Sequence, residues 1–115
     1  MADLKYFRKH EFIMGGDNVY NQMDDVFLKS LDQLRHNVGM PMNITSSYRS
    51  PEYNASIGGA KKSIHLLGRA VDISCNNSRD RMVIVQEALA LGLTVGVAGT
   101  FIHIDDRDYQ ILFTY

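Results

Sequence analysis

The sequence predicts a single small α+β domain in which a largely antiparallel sheet is flanked by helices. Two stretches place apolar residues at helical spacing, and several short segments alternate apolar and polar residues as strands do. The elements run helix, strand, helix, strand, helix, and then strands in succession. A chain of 115 residues suits one domain, and residues 1–115 contain no internal repeat, low-complexity tract or linker.

Asp24 and Asp25 open the first helix, where acids favour the N-terminal end of the dipole. Phe27, Leu31, Leu34 and Val38 supply its apolar face, and Gly39 and Pro41 stop it. Met42 to Tyr48 reads as a strand. Ser50 and Pro51 then cap and begin a short helix that ends near Gly58 and Gly59. Ala60 to Leu67 reads as a loop. Ala70 to Ser74 is a strand whose alternation sends Val71 and Ile73 to one face and Asp72 to the other. Ser78 is placed to cap a helix from about Arg79 to Leu91, with Met82, Val85 and Leu89 as its buried stripe and Gly92 as its stop. Thr94 to Ala98, Phe101 to Asp105 and Tyr109 to Phe113 complete the set as short strands. Gly15 and Gly16 mark a loop and carry no phosphate-binding pattern.

Composition excludes several function classes. Hydrophobic residues make up 45% and charged residues 22%, as in ordinary globular domains. Twelve basic and thirteen acidic residues leave a net charge of -1, so no global positive field favours nucleic acid as a partner. Cys75 is the lone cysteine, which rules out an internal disulfide and a thiolate zinc cluster and suits a small buried residue. The six methionines read as core filler. Residues Met1 to Met14 include Asp3, Lys5, Arg8, Lys9, His10 and Glu11, which leaves no apolar run for a signal peptide. The expectation is a monomer made in the cytoplasm without a signal peptide and without membrane insertion.

The chemistry concentrates in SIHLLGRAVDIS, Ser63 to Ser74, and TFIHIDDRD, Thr100 to Asp108. Catalytic zinc takes three nitrogen or oxygen ligands and keeps one position open, and His65, Asp72 and His103 meet that need. A metal so held brings the pKa of bound water towards ~7. On the Phe101 to Asp105 strand the period of two puts His103 on one face with Phe101 and Asp105, and sends Ile102 and Ile104 into the core. Gly68 allows a sharp turn between the first two candidate ligands, and Ala70 keeps the site face open.

Ser63, His65, Gly68, Ala70 and Asp72, with the later FIHID, resemble the hedgehog/D,D-peptidase superfamily of zinc metallopeptidases. That superfamily includes D-alanyl-D-alanine carboxypeptidases and dipeptidases and the L-alanyl-D-glutamate endopeptidases used as phage endolysins. The upstream stretch ITSSYRSPEYNASIGGAKKSIH, Ile44 to His65, is similar as well, and the likeness extends over about Asp24 to Arg107. The resemblance implies one zinc peptidase domain holding a single Zn2+ ion on His65, Asp72 and His103, with Arg49 binding substrate. A permanently charged planar guanidinium beside a metal suits a substrate carboxylate or a developing oxyanion; its bland alternative is a surface ion pair. Ser63 reads either as a substrate-binding hydroxyl or as a loop cap.

The sequence departs from the pattern at one place. In the dipeptidase and several endolysin branches an acid three residues before the last ligand carries the proton, and here that residue is Thr100. Asp105 is the nearest replacement as catalytic base. It is also placed to orient a ligand histidine, or to pair with Arg107 or Arg69. Asp106 is expected to be solvated, with Lys61, Lys62 and the Arg79 to Arg81 charges.

The resemblance implies a peptidase acting on peptidoglycan stem peptides at a bond involving D-amino acids. With no signal peptide, it fits a phage or prophage endolysin that reaches the cell wall after release, or a wall-degrading virion component. The competing class is a non-catalytic, metal-stabilised wall-binding or structural module. A non-haem iron site is a third class, disfavoured because no histidine follows His103.

Overall fold

The computed structural model describes residues 4–115, so Asp3 lies outside the described residues. Gly15 and Gly16, at φ 57° and 86°, form a two-residue hairpin turn between β1 (Ile13–Met14) and β2 (Asp17–Asn18). The sequence reading had only a loop there. Helix α1 (Asp25–Val38) begins as expected, with the Asp24 carboxylate accepting the Phe27 N–H at 2.9 Å, and ends at Gly39 in the left-handed region. Its Phe27, Leu28, Leu31 and Leu34 are fully buried, a contribution of roughly 1.5–3 kcal/mol each.

Strand β3 is confined to Ile44–Ser46, shorter than the expected Met42 to Tyr48. The cause is local. Beyond Ser46 the chain leaves the ladder to meet His65: the Arg49 N–H donates to the His65 carbonyl at 3.1 Å, and the Ser47 carbonyl accepts from the His65 ring. Helix α2 (Pro51–Ser56) follows, with the Ser50 hydroxyl capping Tyr53 N. Within the expected loop, Ile64–Leu67 forms a 3₁₀ turn ending at Gly68.

Strand β4 (Ala70–Ser74) matches its expected bounds. Helix α3 (Ser78–Ala90) is capped by Asn77, whose side chain accepts from Asp80 N, and not by Ser78. Its expected stripe is also rotated. Ile84 and Ala88 form the buried centre, Val85 and Leu89 flank it, and Met82 is 62% exposed. Ala88 carries too little apolar weight to mark a stripe, yet its small side chain lets the helix sit close to the core.

Strand β5 (Thr94–Val97), β6 (Phe101–Asp105) and β7 (Leu112–Thr114) complete a five-stranded sheet in the order β3-β4-β6-β5-β7. All pairings are antiparallel except β5 with β7, so the sheet is largely antiparallel as expected. The last strand starts later than the expected Tyr109 because a side chain holds the preceding stretch. The Thr94 hydroxyl donates to the Tyr109 carbonyl and accepts from Ile111 N.

One sheet face carries Val71, Ile73, Val95, Ile102 and Ile104, all fully buried in the core that also takes in α1 and α3. Cys75 is buried as expected. The opposite face carries the polar residues of the site. Among the described residues, no helix is long and apolar enough to cross a membrane.

Gly68 fixes the entry to β4. Its φ is +68°, its carbonyl accepts from Asp24 N at 2.9 Å, and a Cβ there would lie 2.3 Å from the Gln22 carbonyl oxygen. Gly68→Ala therefore meets both backbone collision and left-handed strain, and a loss of at least about 2 kcal/mol is expected. Urea denaturation checks it; an unchanged midpoint would mean that the junction yields freely.

Candidate metal centre

Strand register builds most of the site. Ser46, Asp72, His103, Gly96 and Phe113 are successive cross-strand partners, so they form one row across the sheet. His65 joins from outside the row on the 3₁₀ turn, where the Ser63 hydroxyl accepts its backbone N–H at 3.2 Å. The sequence reading placed His65 in a loop, and this turn is what aims it.

Three donor atoms of His65, Asp72 and His103 lie within 4.8 Å of one another, and all three residues are buried. Hydrogen bonds fix which ring nitrogen each histidine offers. The Ser47 carbonyl can only accept, so His65 Nδ1 carries the proton at 2.8 Å from it and Nε2 is left facing Asp72 Oδ1 at 3.5 Å. His103 has the reverse arrangement, with Nδ1 3.0 Å from Asp72 Oδ1 and Nε2 2.6 Å from Asp105 Oδ2. Partners that orient the far nitrogen are what metal-binding histidines require. The donor set, two imidazole nitrogens and a carboxylate beside an open cleft, fits a zinc-type ion.

Asp105 is completely buried, and both of its oxygens are engaged. Oδ2 accepts from His103 Nε2 and from Arg107 Nη2, each at 2.6 Å, and Oδ1 accepts from Arg107 N and Nε at 2.9 and 3.0 Å. Of the roles open to Asp105, this geometry favours orienting His103 and pairing with Arg107. A catalytic base needs an oxygen turned to the cleft, and neither oxygen is. Arg69 goes instead to Asp106 at 2.7 Å, so Asp106 is ion-paired where the sequence suggested a solvated side chain. Thr100 is exposed at the head of β6, and Lys61 and Lys62 are exposed as expected.

Arg49 is no surface ion pair. Its side chain is 16% exposed and its Nη2 lies 3.8 Å from Asp72 Oδ2. Its hydrogen bonds, to Asn54 Oδ1 and Ser46 Oγ, are both long at 3.3 Å, and its Nε is buried with no partner. Ser63 caps the His65 turn and also lines the cleft.

The cleft has a volume of about 600 Å³, and Arg49, His65, Asp72, His103, Phe113 and Tyr115 are among its walls. The two aromatic residues were not anticipated. Phe113 lies against His103 with ring centroids 5.7 Å apart, and Tyr115 against Phe113 at 5.5 Å. Gly96 makes room: a Cβ there would come within 2.4 Å of the Phe113 ring. A glycine inside a strand signals such close approach, and it was the available clue.

An α+β domain with a buried two-histidine, one-carboxylate cluster opening on a cleft has the makings of a mononuclear metallohydrolase. More particularly, the family model described as Peptidase M15 matches residues 5–105, and the chain belongs to that family, within the hedgehog/D,D-peptidase-like zinc metallopeptidase superfamily. No curated protein matches the chain.

Charge coupling in the site gives a pH signature for metal-free protein. Burial alone would raise the Asp72 pKa, but hydrogen bonds from His103 and His65, with their charge, overcome it and hold the carboxyl at about 2. Burial alone would lower that of His103, but its bonds to Asp105 and Asp72 override it and raise the imidazole. Stability from Asp72 is therefore present above an unfolded-state value of about 3.9 and is lost as pH falls towards 2. Stability from His103 is complete below about 6.5 and is lost as pH rises through the raised value. Chelator-treated protein is expected to be most stable between about pH 4 and 6.5, read as urea midpoints; a midpoint still climbing at pH 9 would contradict the coupling.

Proposed function

We propose that the chain is a zinc peptidase that hydrolyses a bond involving a D-amino acid in peptidoglycan stem peptides. The observation that carries this reading is the three-donor cluster beside the under-satisfied Arg49 in a member of the Peptidase M15 family. His65 Nε2, an Asp72 oxygen and His103 Nδ1 would hold the ion. When bound, zinc supplies a Lewis acid and an acidified water at neutral pH.

The chain's own residues account for the rest. Arg49, with its guanidinium short of acceptors, binds a substrate carboxylate or the oxygen that gains charge as the carbonyl is attacked. The Ser63 oxygen accepts the His65 N–H, which leaves its O–H to donate to a substrate oxygen. Asp105 serves as a positioning residue for His103. In this reading the enzyme works as a monomer on the cell wall, as a phage or prophage endolysin after release or as a virion component. The alternative, a non-catalytic metal-stabilised wall-binding module, draws on Thr100, which stands exposed where several relatives in the superfamily carry an acid.

Incubation of zinc-loaded protein with purified peptidoglycan, followed by mass spectrometry, separates the two. Wild type is expected to release new amino termini or free D-alanine, and His103→Ala to release neither. Identical unmodified fragments from both, with zinc in excess, would refute the peptidase reading and leave the binding module. Arg49→Lys keeps the charge but loses the planar fork, and kcat/KM is expected to fall about 10²-fold. An unchanged kcat/KM would remove Arg49 from the substrate site.

A further inference from the structure

We propose that Arg107 is a positioning residue for the metal centre: through Asp105 it fixes His103 as an Nδ1 ligand. The inference rests on the zinc reading above but concerns a residue that touches none of the three donors' ligating atoms.

Arg107 grips Asp105 from three nitrogens. Its backbone N–H donates to Oδ1 at 2.9 Å, its Nε to Oδ1 at 3.0 Å and to Oδ2 at 3.2 Å, and its Nη2 to Oδ2 at 2.6 Å. A fork of this kind sets the plane of the carboxylate as well as its position. Oδ2 is thereby aimed at His103 Nε2, 2.6 Å away. A carboxylate held as an acceptor keeps the proton of a neutral imidazole on Nε2, which leaves the Nδ1 lone pair facing Asp72 and His65.

Two further observations separate this from an ordinary surface pair. The Asp105 side chain has no exposed surface, so its charge has to be compensated from within the protein, and Arg107 is the permanent cation that does so. The Arg107 guanidinium also lies 5.5 Å from the centroid of Phe113, the same ring that packs against His103. Phe113 occupies the space left by Gly96, the strand partner of His103. Arg107, Asp105, His103 and Phe113 thus form a closed ring of contacts around one ligand.

The test measures zinc affinity by competition with a chromophoric chelator, beside 15N spectra of the histidine rings in the zinc-loaded protein. Wild type is expected to show His103 protonated at Nε2 and metal-bound at Nδ1. Arg107→Ala is expected to weaken zinc about 10-fold and to broaden or shift the His103 signals, with His65 unchanged. Arg107→Lys keeps a cation near Asp105 without the fork; an intermediate affinity supports the role of the fork. It also provides the reading if Arg107→Ala fails to fold. Wild-type affinity and unchanged His103 signals in either folded variant would overturn the proposal. Absence of zinc binding by wild type would instead overturn the metal reading itself, so the two failures are distinguishable.

Discussion

The register of β4 against β6 governs both the core and the cleft. Val71 opposite Ile104 and Ile73 opposite Ile102 turn inward, and Asp72 opposite His103 consequently turns outward. A slip of one residue would exchange the two faces, sending Asp72 into the core and Ile73 into the cleft. Burial of four large aliphatic side chains at 0% exposure makes that slip prohibitive. The apolar face therefore specifies the position of two candidate ligands before any polar contact forms. The same row then determines the neighbours, with Ser46 beyond Asp72 and Gly96 and Phe113 beyond His103.

His65 is positioned by a different kind of force. No strand pairing holds it; backbone hydrogen bonds do. The chain after β3 leaves the sheet at the point where Ser47 and Arg49 bond the His65 ring and carbonyl. Gly68 then seats against the segment that leads into α1, through its bond from Asp24. The shortened strand, the 3₁₀ turn and the helix cap are consequently one device. Disturbing any of them moves one donor relative to the other two, and metal affinity is sensitive to such displacement.

This division explains what was legible in the sequence. Asp72 and His103 sit on strands whose alternation is plain, so their shared face could be read from Val71, Ile73, Ile102 and Ile104. For His65 the donor type was legible, and the resemblance supported it, but its placement was not, since nothing in the composition of a loop reports a 3₁₀ turn or an acceptor eighteen residues earlier. Phe113 escaped notice because its place depends on a parallel pairing of β7 with β5, a long-range contact with no local signature. Asn77 and Ser78 are both good caps, and only the geometry of Asp80 N distinguishes them. Met82 obeyed helical spacing but on the wrong flank, because the small Ala88 marks the true centre of burial. For Asp105 the strand face was legible, whereas the closing of Arg107 over it was not.

Three arginines surround the cleft, and their hydrogen bonding divides the labour among them. Arg69 is committed to Asp106 and Arg107 to Asp105, each through bonds of 2.6 or 2.7 Å to a carboxylate or carbonyl. Those bonds join the turn after β6 to the entry of β4 in one case and, in the other, to Asp105, the partner of His103. Arg49 is differently placed: its two side-chain hydrogen bonds are long, its nearest carboxylate is Asp72, and its Nε is buried without an acceptor. An unsatisfied buried donor costs about 1–3 kcal/mol. Asp72 does not relieve it, since its Oδ2 reaches only Nη2, at 3.8 Å. Of the three, Arg49 alone lacks a short bond to a carboxylate, and it lies in the cleft wall beside the donor cluster.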